Sequence, residues 1–309
     1  MAEELAHIDG IEVAYEEFGD RADPAMLLIM GLGVQMLGWD AELCQLLAVE
    51  GFRVVRFDNR DVGRSSRYEG PVPDWTALAA GDGSSASYLL DDMAGDCVTL
   101  LDHLGIDRVH LVGASLGGMI AQTLAIREPE RVLSLASIMS TTGDRSVGQP
   151  HPEGLAQLFD APPNDREGLA DWAVRNWAVI GSPGYEADEE RVRERARRSF
   201  DRGYNPAGTG RQLAAVIASG DRTPALGRLR LPALVIHGEA DPLIDVSGGK
   251  ATAAAIPGAR LVLIPGMGHD LPRQLWPRFV EEIVANARRG EASSERRDSA
   301  SESAEPTSA

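Results

Sequence analysis

Two cysteines, Cys44 and Cys97, are all that the 309 residues contain. Two thiols this far apart form neither a disulfide framework nor a zinc site, and they read as buried free thiols. Lysine is scarcer still. Lys250 stands alone among 30 basic residues, a bias of composition rather than a functional signal. Positive charge as a whole is short, with a formal net charge of −17. Such a surface repels a phosphate backbone, which argues against a nucleic-acid partner. No stretch approaches eighteen consecutive apolar residues, so no membrane span is expected. The first ten residues, MAEELAHIDG, have neither a basic nor an apolar leader region, and no Asn-x-Ser/Thr sequon occurs. The expectation is a cytoplasmic protein.

Apolar residues are plentiful, at 43%, enough for one large domain or a domain with an insertion. AHIDGIEVAYEEFG alternates polar and apolar residues around Asp9-Gly10, as a hairpin does. Short apolar runs follow at 25–30, 52–58, 108–114, 131–141, 232–239 and 259–266, and amphipathic stretches lie between most of them. This alternation predicts an α/β fold, with a mostly parallel central sheet and helices on both faces. Residues 143–225 break the pattern with helical repeats only, and they read as a helical cap over the carboxyl ends of the strands. Two core segments, 1–142 and 226–289, flank it. Residues 290–309 are polar and of low complexity, and they read as a disordered tail. Within the insertion, RVRERARRSFDR (191–202) reads as a solvated helix face carrying i,i+4 ion pairs.

At the end of the third apolar run stands HLVGASLGG (110–118), a G-x-S-x-G between a strand and a helix. That is where a nucleophile elbow belongs, its hydroxyl raised above the sheet at a helix N-terminus. The same serine would also serve as an ordinary N-cap of the helix from 116. A serine nucleophile needs a base, and the base needs an orienting acid. His7, His103, His110, His151 and His237 fall in a hairpin, a helix, a strand, the insertion and a strand end. His269 lies on the glycine-rich loop IPGMGHDLP just past the last strand and is the candidate base. Asp241 in HGEADPLI is the candidate acid, with Glu239 the runner-up and Asp270 too near His269 in sequence to orient it. The order Ser115, Asp241, His269 is that of α/β-hydrolases. Two backbone N–H groups would form an oxyanion hole: Leu116, next to the nucleophile, and Leu32, in Gly31-Leu32-Gly33. That Gly-Leu-Gly also fits a plain strand-to-helix turn.

Together MGLG, FDNRDVGRS, GASLGG, HGEADPL and PGMGHDLP resemble the α/β-hydrolase fold superfamily in order and spacing, from about residue 5 to about residue 289. MGLGVQMLGWD with FDNRDVGRSS is similar to the aclacinomycin methylesterase-like branch and to related actinobacterial lipases and esterases. The resemblance implies a Ser-His-Asp esterase on Ser115, Asp241 and His269, with Leu32 and Leu116 as oxyanion donors. It departs from many relatives at Met30, where they have a histidine, and there is no HGGG. Asp58, Arg60 and Gly63 are assigned to a structural turn.

The expected activity is hydrolysis of a small-to-medium hydrophobic carboxylic ester through an acyl-enzyme, without metal or organic cofactor. A perhydrolase or haloperoxidase-like enzyme, a lactonase, and a receptor that binds a small molecule without turnover are the alternatives. Gly31, Gly33, Gln35, Trp39, Trp172 and Trp177 are the candidate substrate contacts. Nothing in the sequence fixes an oligomeric state.

Overall fold

The computed structural model describes residues 3–8 and 10–302, the side chains of 297–302 excepted. Asp9, one of the two expected turn residues of the first hairpin, lies outside them. The hairpin itself joins β1 (Glu4–Ile8) to β2 (Ile11–Phe18), paired antiparallel. Then follow β3 (Ala25–Ile29), α1 (Ala41–Val49), β4 (Arg53–Phe57), α2 (Trp75–Ala79), α3 (Leu90–His103), β5 (Val109–Ala114), α4 (Leu116–Arg127) and β6 (Val132–Ile138). Five helices come next: α5 (Pro152–Phe159), α6 (Arg166–Ile180), α7 (Glu189–Gly203), α8 (Pro206–Ser219) and α9 (Thr223–Leu226). The chain returns to the sheet with β7 (Ala233–Gly238), α10 (Val246–Ala255), β8 (Arg260–Ile264) and the long α11 (Trp276–Glu302).

The eight strands run in the order β1-β2-β4-β3-β5-β6-β7-β8. From β4 to β8 all neighbours are parallel. Strands β3, β4, β5, β6 and β7 are buried along their whole length, which is why they read as unbroken apolar runs. The buried side chains form two large clusters. One gathers α3, α4 and one face of the sheet around Leu27, Met93 and Ile120. The other gathers α1, α11 and the opposite face around Leu28, Trp39 and Phe279. Cys44 and Cys97 are free and fully enclosed, and burial pushes both thiols well above their usual range.

Two expectations need correction. The tail expected from 290 begins as helix: α11 runs on to Glu302, with Ser294 buried against the Arg108 guanidinium. The arginines of α7 do not chiefly pair along their own helix. Arg193 meets Asp171 and Arg197 meets Glu167, both on α6, while Arg191 reaches Asp40 at the start of α1. They fasten helix to helix, which periodicity cannot show. No helix among the described residues is long and apolar enough to cross a membrane.

His110, inside β5, is 1% exposed; its Nδ1 meets Ser134 Oγ at 2.9 Å and its Nε2 has no hydrogen-bond partner. Burial, aided by the Arg288 charge, pushes its pKa from 6.5 down to about 4. The unfolded chain therefore takes up this proton near pH 6.5 and the folded protein only near pH 4. Stability should fall as pH drops through that window, by about 3 kcal/mol from this group. In urea unfolding between pH 7 and 4, His110→Gln should flatten the slope. Identical slopes in both proteins would contradict this account.

Candidate active site

Strand β5 ends at Ala114 and α4 begins at Leu116, so Ser115 alone makes the turn. It does so at φ 56° and ψ −121°, a sparsely populated conformation that costs on the order of 1–3 kcal/mol. Its neighbours show why glycine flanks it. A Cβ on Gly113 would overlap the Gly117 carbonyl, and one on Gly117 would overlap the Ile29 carbonyl. Hydrogen bonds hold the strained residue in place: Ser115 N–H donates to Ile138 O at 2.9 Å, and Ser140 Oγ donates to Ser115 O at 2.8 Å. Ser115 makes no side-chain cap bond to α4, so the simple N-cap reading does not describe it.

Past β8, the loop brings His269 Nε2 to 3.0 Å from Ser115 Oγ. Past β7, Asp241 Oδ2 lies 2.8 Å from His269 Nδ1. The other Asp241 oxygen accepts the Leu243 and Ile244 N–H groups, each at 2.9 Å. Burial alone would raise the Asp241 carboxyl, but the neighbouring His269 and the Ile244 N–H outweigh it and hold the pKa below the usual carboxylate value. An ionised Asp241 fixes the proton of His269 on Nδ1 and leaves Nε2 free to accept from the serine. Glu239 is exposed and takes no part. His237 is fully buried and donates from Nε2 to Ile244 O at 2.8 Å, while burial pushes its pKa down.

The turn after β3 lies directly against this serine. A Cβ on Gly31 would lie 3.1 Å from the Ser115 Cβ. Among the described residues neither Leu32 N–H nor Leu116 N–H has an acceptor. Gly33 N–H is taken by Gln212 Oε1 at 2.8 Å. The turn that follows is fixed by Asp58, whose carboxylate accepts Met36 N–H at 2.7 Å and Arg64 N–H at 3.1 Å and meets Arg202 at 2.9 Å.

An elbow after β5 and loops after β7 and β8 that converge on it are thus in place, and residues 24–272 match one family, the alpha/beta hydrolase fold. The chain belongs to that family. Among curated proteins, this hydrolase-fold chain is 30% identical over 301 residues to rhodomycin D methylesterase DauP of Streptomyces sp. (strain C5), covering 91% of this chain and 96% of that protein. It is 26% identical over 285 residues to the bifunctional esterase/perhydrolase DCH of Acinetobacter calcoaceticus, covering 90% and 96%. Among solved structures, the enol-lactonase from Burkholderia xenovorans LB400 superposes with a TM-score of 0.71 at 25% identity, covering 92% of this chain and 99% of that one. The first of these, DauP, agrees with the resemblance to the methylesterase branch carried by MGLGVQMLGWD and FDNRDVGRSS.

In this hydrolase-fold protein the expected substrate contacts separate. Gly31 lies against Ser115, and Gly33 is pinned by Gln212. Gln35 is buried, its amide N–H donating to Ser199 O at 2.7 Å and Gly203 O at 3.0 Å, so it joins the turn after β3 to α7 and is closed to substrate. Trp39 is 1% exposed and packs beside Leu43 in the core. Trp172 donates to Asp160 at 2.7 Å and packs on Leu169 and Ala196 inside the insertion. Trp177 donates to Asp270 at 2.6 Å. It also lines a cleft of about 500 Å³ with Arg195, Asp270, Leu271 and Trp276, a cleft that neither Ser115 nor His269 lines. Adjacency in sequence suggested Gln35 and Trp39, and both turned inward. Gln212, Arg202 and Ser182, which hold the site's loops, lie between 86 and 179 residues from their partners and leave no local signal.

Proposed function

We propose that this protein is a serine hydrolase of carboxylic esters that works through an acyl-enzyme, with Ser115 as nucleophile, His269 as general base and acid, and Asp241 as the group that orients it. The observation that carries the reading is the unbroken chain from Ser115 Oγ through His269 to Asp241, at 3.0 and 2.8 Å, with the serine strained at the elbow. Its methylesterase relative supports ester chemistry.

The Ser115 proton passes to His269 Nε2 as Oγ bonds to the ester carbonyl carbon. The Leu32 and Leu116 N–H groups, undonated elsewhere, receive the oxyanion. The carbon–oxygen bond to the alcohol breaks, and the alcohol leaves with the proton from His269. Water then gives its proton to His269 and adds to the acyl carbon. The tetrahedral adduct collapses, and Ser115 takes the proton back as the acid departs. Asp241 keeps its charge throughout and stabilises the imidazolium. Residues 143–225 act as the cap that shapes the pocket. The substrate class of this reading is a small-to-medium hydrophobic carboxylic ester.

Initial rates on p-nitrophenyl esters from acetate to palmitate, beside Ser115→Ala, test the reading. Rates absent in the variant and peaking at short or middle chain length are expected. Equal rates in both proteins would turn the assignment toward a binding protein. The esterase/perhydrolase relative favours a second reading on the same three residues, perhydrolysis, in which hydrogen peroxide replaces water at the acyl-enzyme. Peracid formation from peroxide and a short carboxylic acid would reveal it.

A further inference from the structure

The loop that carries His269 is held from the insertion side at consecutive residues. His269 N–H donates to Ile180 O at 2.7 Å, and Gly268 N–H donates to Ser182 Oγ at 2.9 Å. Gly184 N–H donates to Gly266 O at 2.9 Å. Asp270 closes the set: the Ser182 hydroxyl donates to its Oδ1, and Trp177 Nε1–H donates to its Oδ2 at 2.6 Å. Ser182 is 1% exposed, so its hydroxyl serves only this junction. Asp270 stands beside His269 in sequence and makes no hydrogen bond to the imidazole, which Asp241 and Ser115 already occupy.

We propose that Asp270, gripped by Ser182 and Trp177, is a positioning residue that ties the base His269 to the helical insertion. The inference rests on the reading of His269 as base. A histidine on a glycine-rich loop has a loose backbone, yet its ring must serve Ser115 and Asp241 together. Anchoring the residues before and after it restricts the loop to one arrangement, and a misplacement of 1 Å can cost about 100-fold in rate. The carboxylate also adds charge. The groups facing this imidazole are Asp241 after β7, His237 on β7 and Asp270 itself, and Arg195 of α7 faces Asp270. Burial raises the Asp270 carboxyl, while Ser182, Trp177 and the charges of Arg195 and His269 counter it. A negative Asp270 favours the imidazolium.

The test is hydrolysis of p-nitrophenyl butyrate across pH 5 to 9 by wild type, Asp270→Asn, Trp177→Phe and Ser115→Ala, with thermal unfolding of each. Asp270→Asn keeps the side-chain shape. It should lower kcat about tenfold with KM changed less than twofold. It should also move the acidic limb of kcat/KM to lower pH, because the charges of Asp270 and His269 act on each other. Trp177→Phe keeps a packed ring and removes only the N–H. It should move the limb the same way by less, since Asp270 then holds its charge less well, and it keeps the test open if Asp270→Asn does not fold. An acidic limb that stays in place in folded variants overturns the proposal, even where kcat falls, because a purely structural contact would behave so. Residual activity in Ser115→Ala would instead overturn the ester-hydrolase reading itself.

Discussion

Ser115→Ala is expected to lower kcat on the best p-nitrophenyl ester by on the order of 10⁶-fold, the scale seen when a serine triad loses its nucleophile. No neighbouring hydroxyl can substitute. The Ser140 hydroxyl already donates to the Ser115 carbonyl, and the elbow admits one residue between Ala114 and Leu116. Alanine keeps the Cβ at a positive φ, so the strain persists and the melting temperature should change little. Activity and stability therefore separate in this variant. More than one per cent residual turnover would remove Ser115 from the mechanism. Asp241→Asn should cost about 10⁴-fold, since a carboxamide no longer fixes the His269 tautomer.

The second large effect is on stability. Arg202→Met should destabilise the fold by about 3–5 kcal/mol, the cost of leaving one partner of a buried ion pair behind. The Asp58 side chain is fully buried and Arg202 is 10% exposed. Arg202 also meets Glu3 at 3.0 Å and donates to Gln35. One substitution thus strips charge compensation from Asp58 and support from the turn after β3. Burial already pushes the Asp58 carboxyl above its usual range, against the pull of Arg202. Without that cation the neutral form becomes easier still to adopt, so the deficit should be smaller at pH 4 than at pH 7.5. Urea unfolding at both values measures it. A loss under about 1 kcal/mol at pH 7.5 would mean that Asp58 is stabilised mainly by Met36 N–H and Arg64 N–H.

What the sequence discloses follows from how local each signal is. The inner strands are buried on both faces, so their apolar runs are unmistakable. Gly113 marks the elbow because the nearby Gly117 carbonyl requires it, whereas Gly117 is required by the Ile29 carbonyl of β3, a contact that chain order does not show. His269 and Asp241 stand out because each follows a strand directly. Gln35 and Trp39 misled because they follow Gly31-Leu32-Gly33, yet a 3-10 turn at Met36–Gly38 and the start of α1 direct them into protein. The residues that hold the site together from the insertion are invisible to any local pattern. Gln212 looks like one more polar residue on α8 until the fold sets it against Gly33 N–H and Arg60 O at once, at 2.8 Å each. Of the tail expected at 290–309, residues 290–302 are helix because low complexity hides the burial of Ser294, and 303–309 lie outside the described residues.

The way the insertion is fastened bears on recombination between relatives. Helices α5 to α9 contribute none of Ser115, Asp241 or His269, which makes them look exchangeable for another hydrolase's specificity segment. They nevertheless hold the turn beside Ser115 through Gln212 and Arg202, and the His269 loop through Ile180 and Ser182. A chimera that exchanges the whole segment would also replace the groups that hold the turn beside Ser115 and the His269 loop in place. Even α5 is not free of the site: His151 N–H at its start donates to Pro242 O at 2.9 Å, beside Asp241, and Gly154 packs against Pro242, so a chimera that exchanges only α5 must keep those two residues.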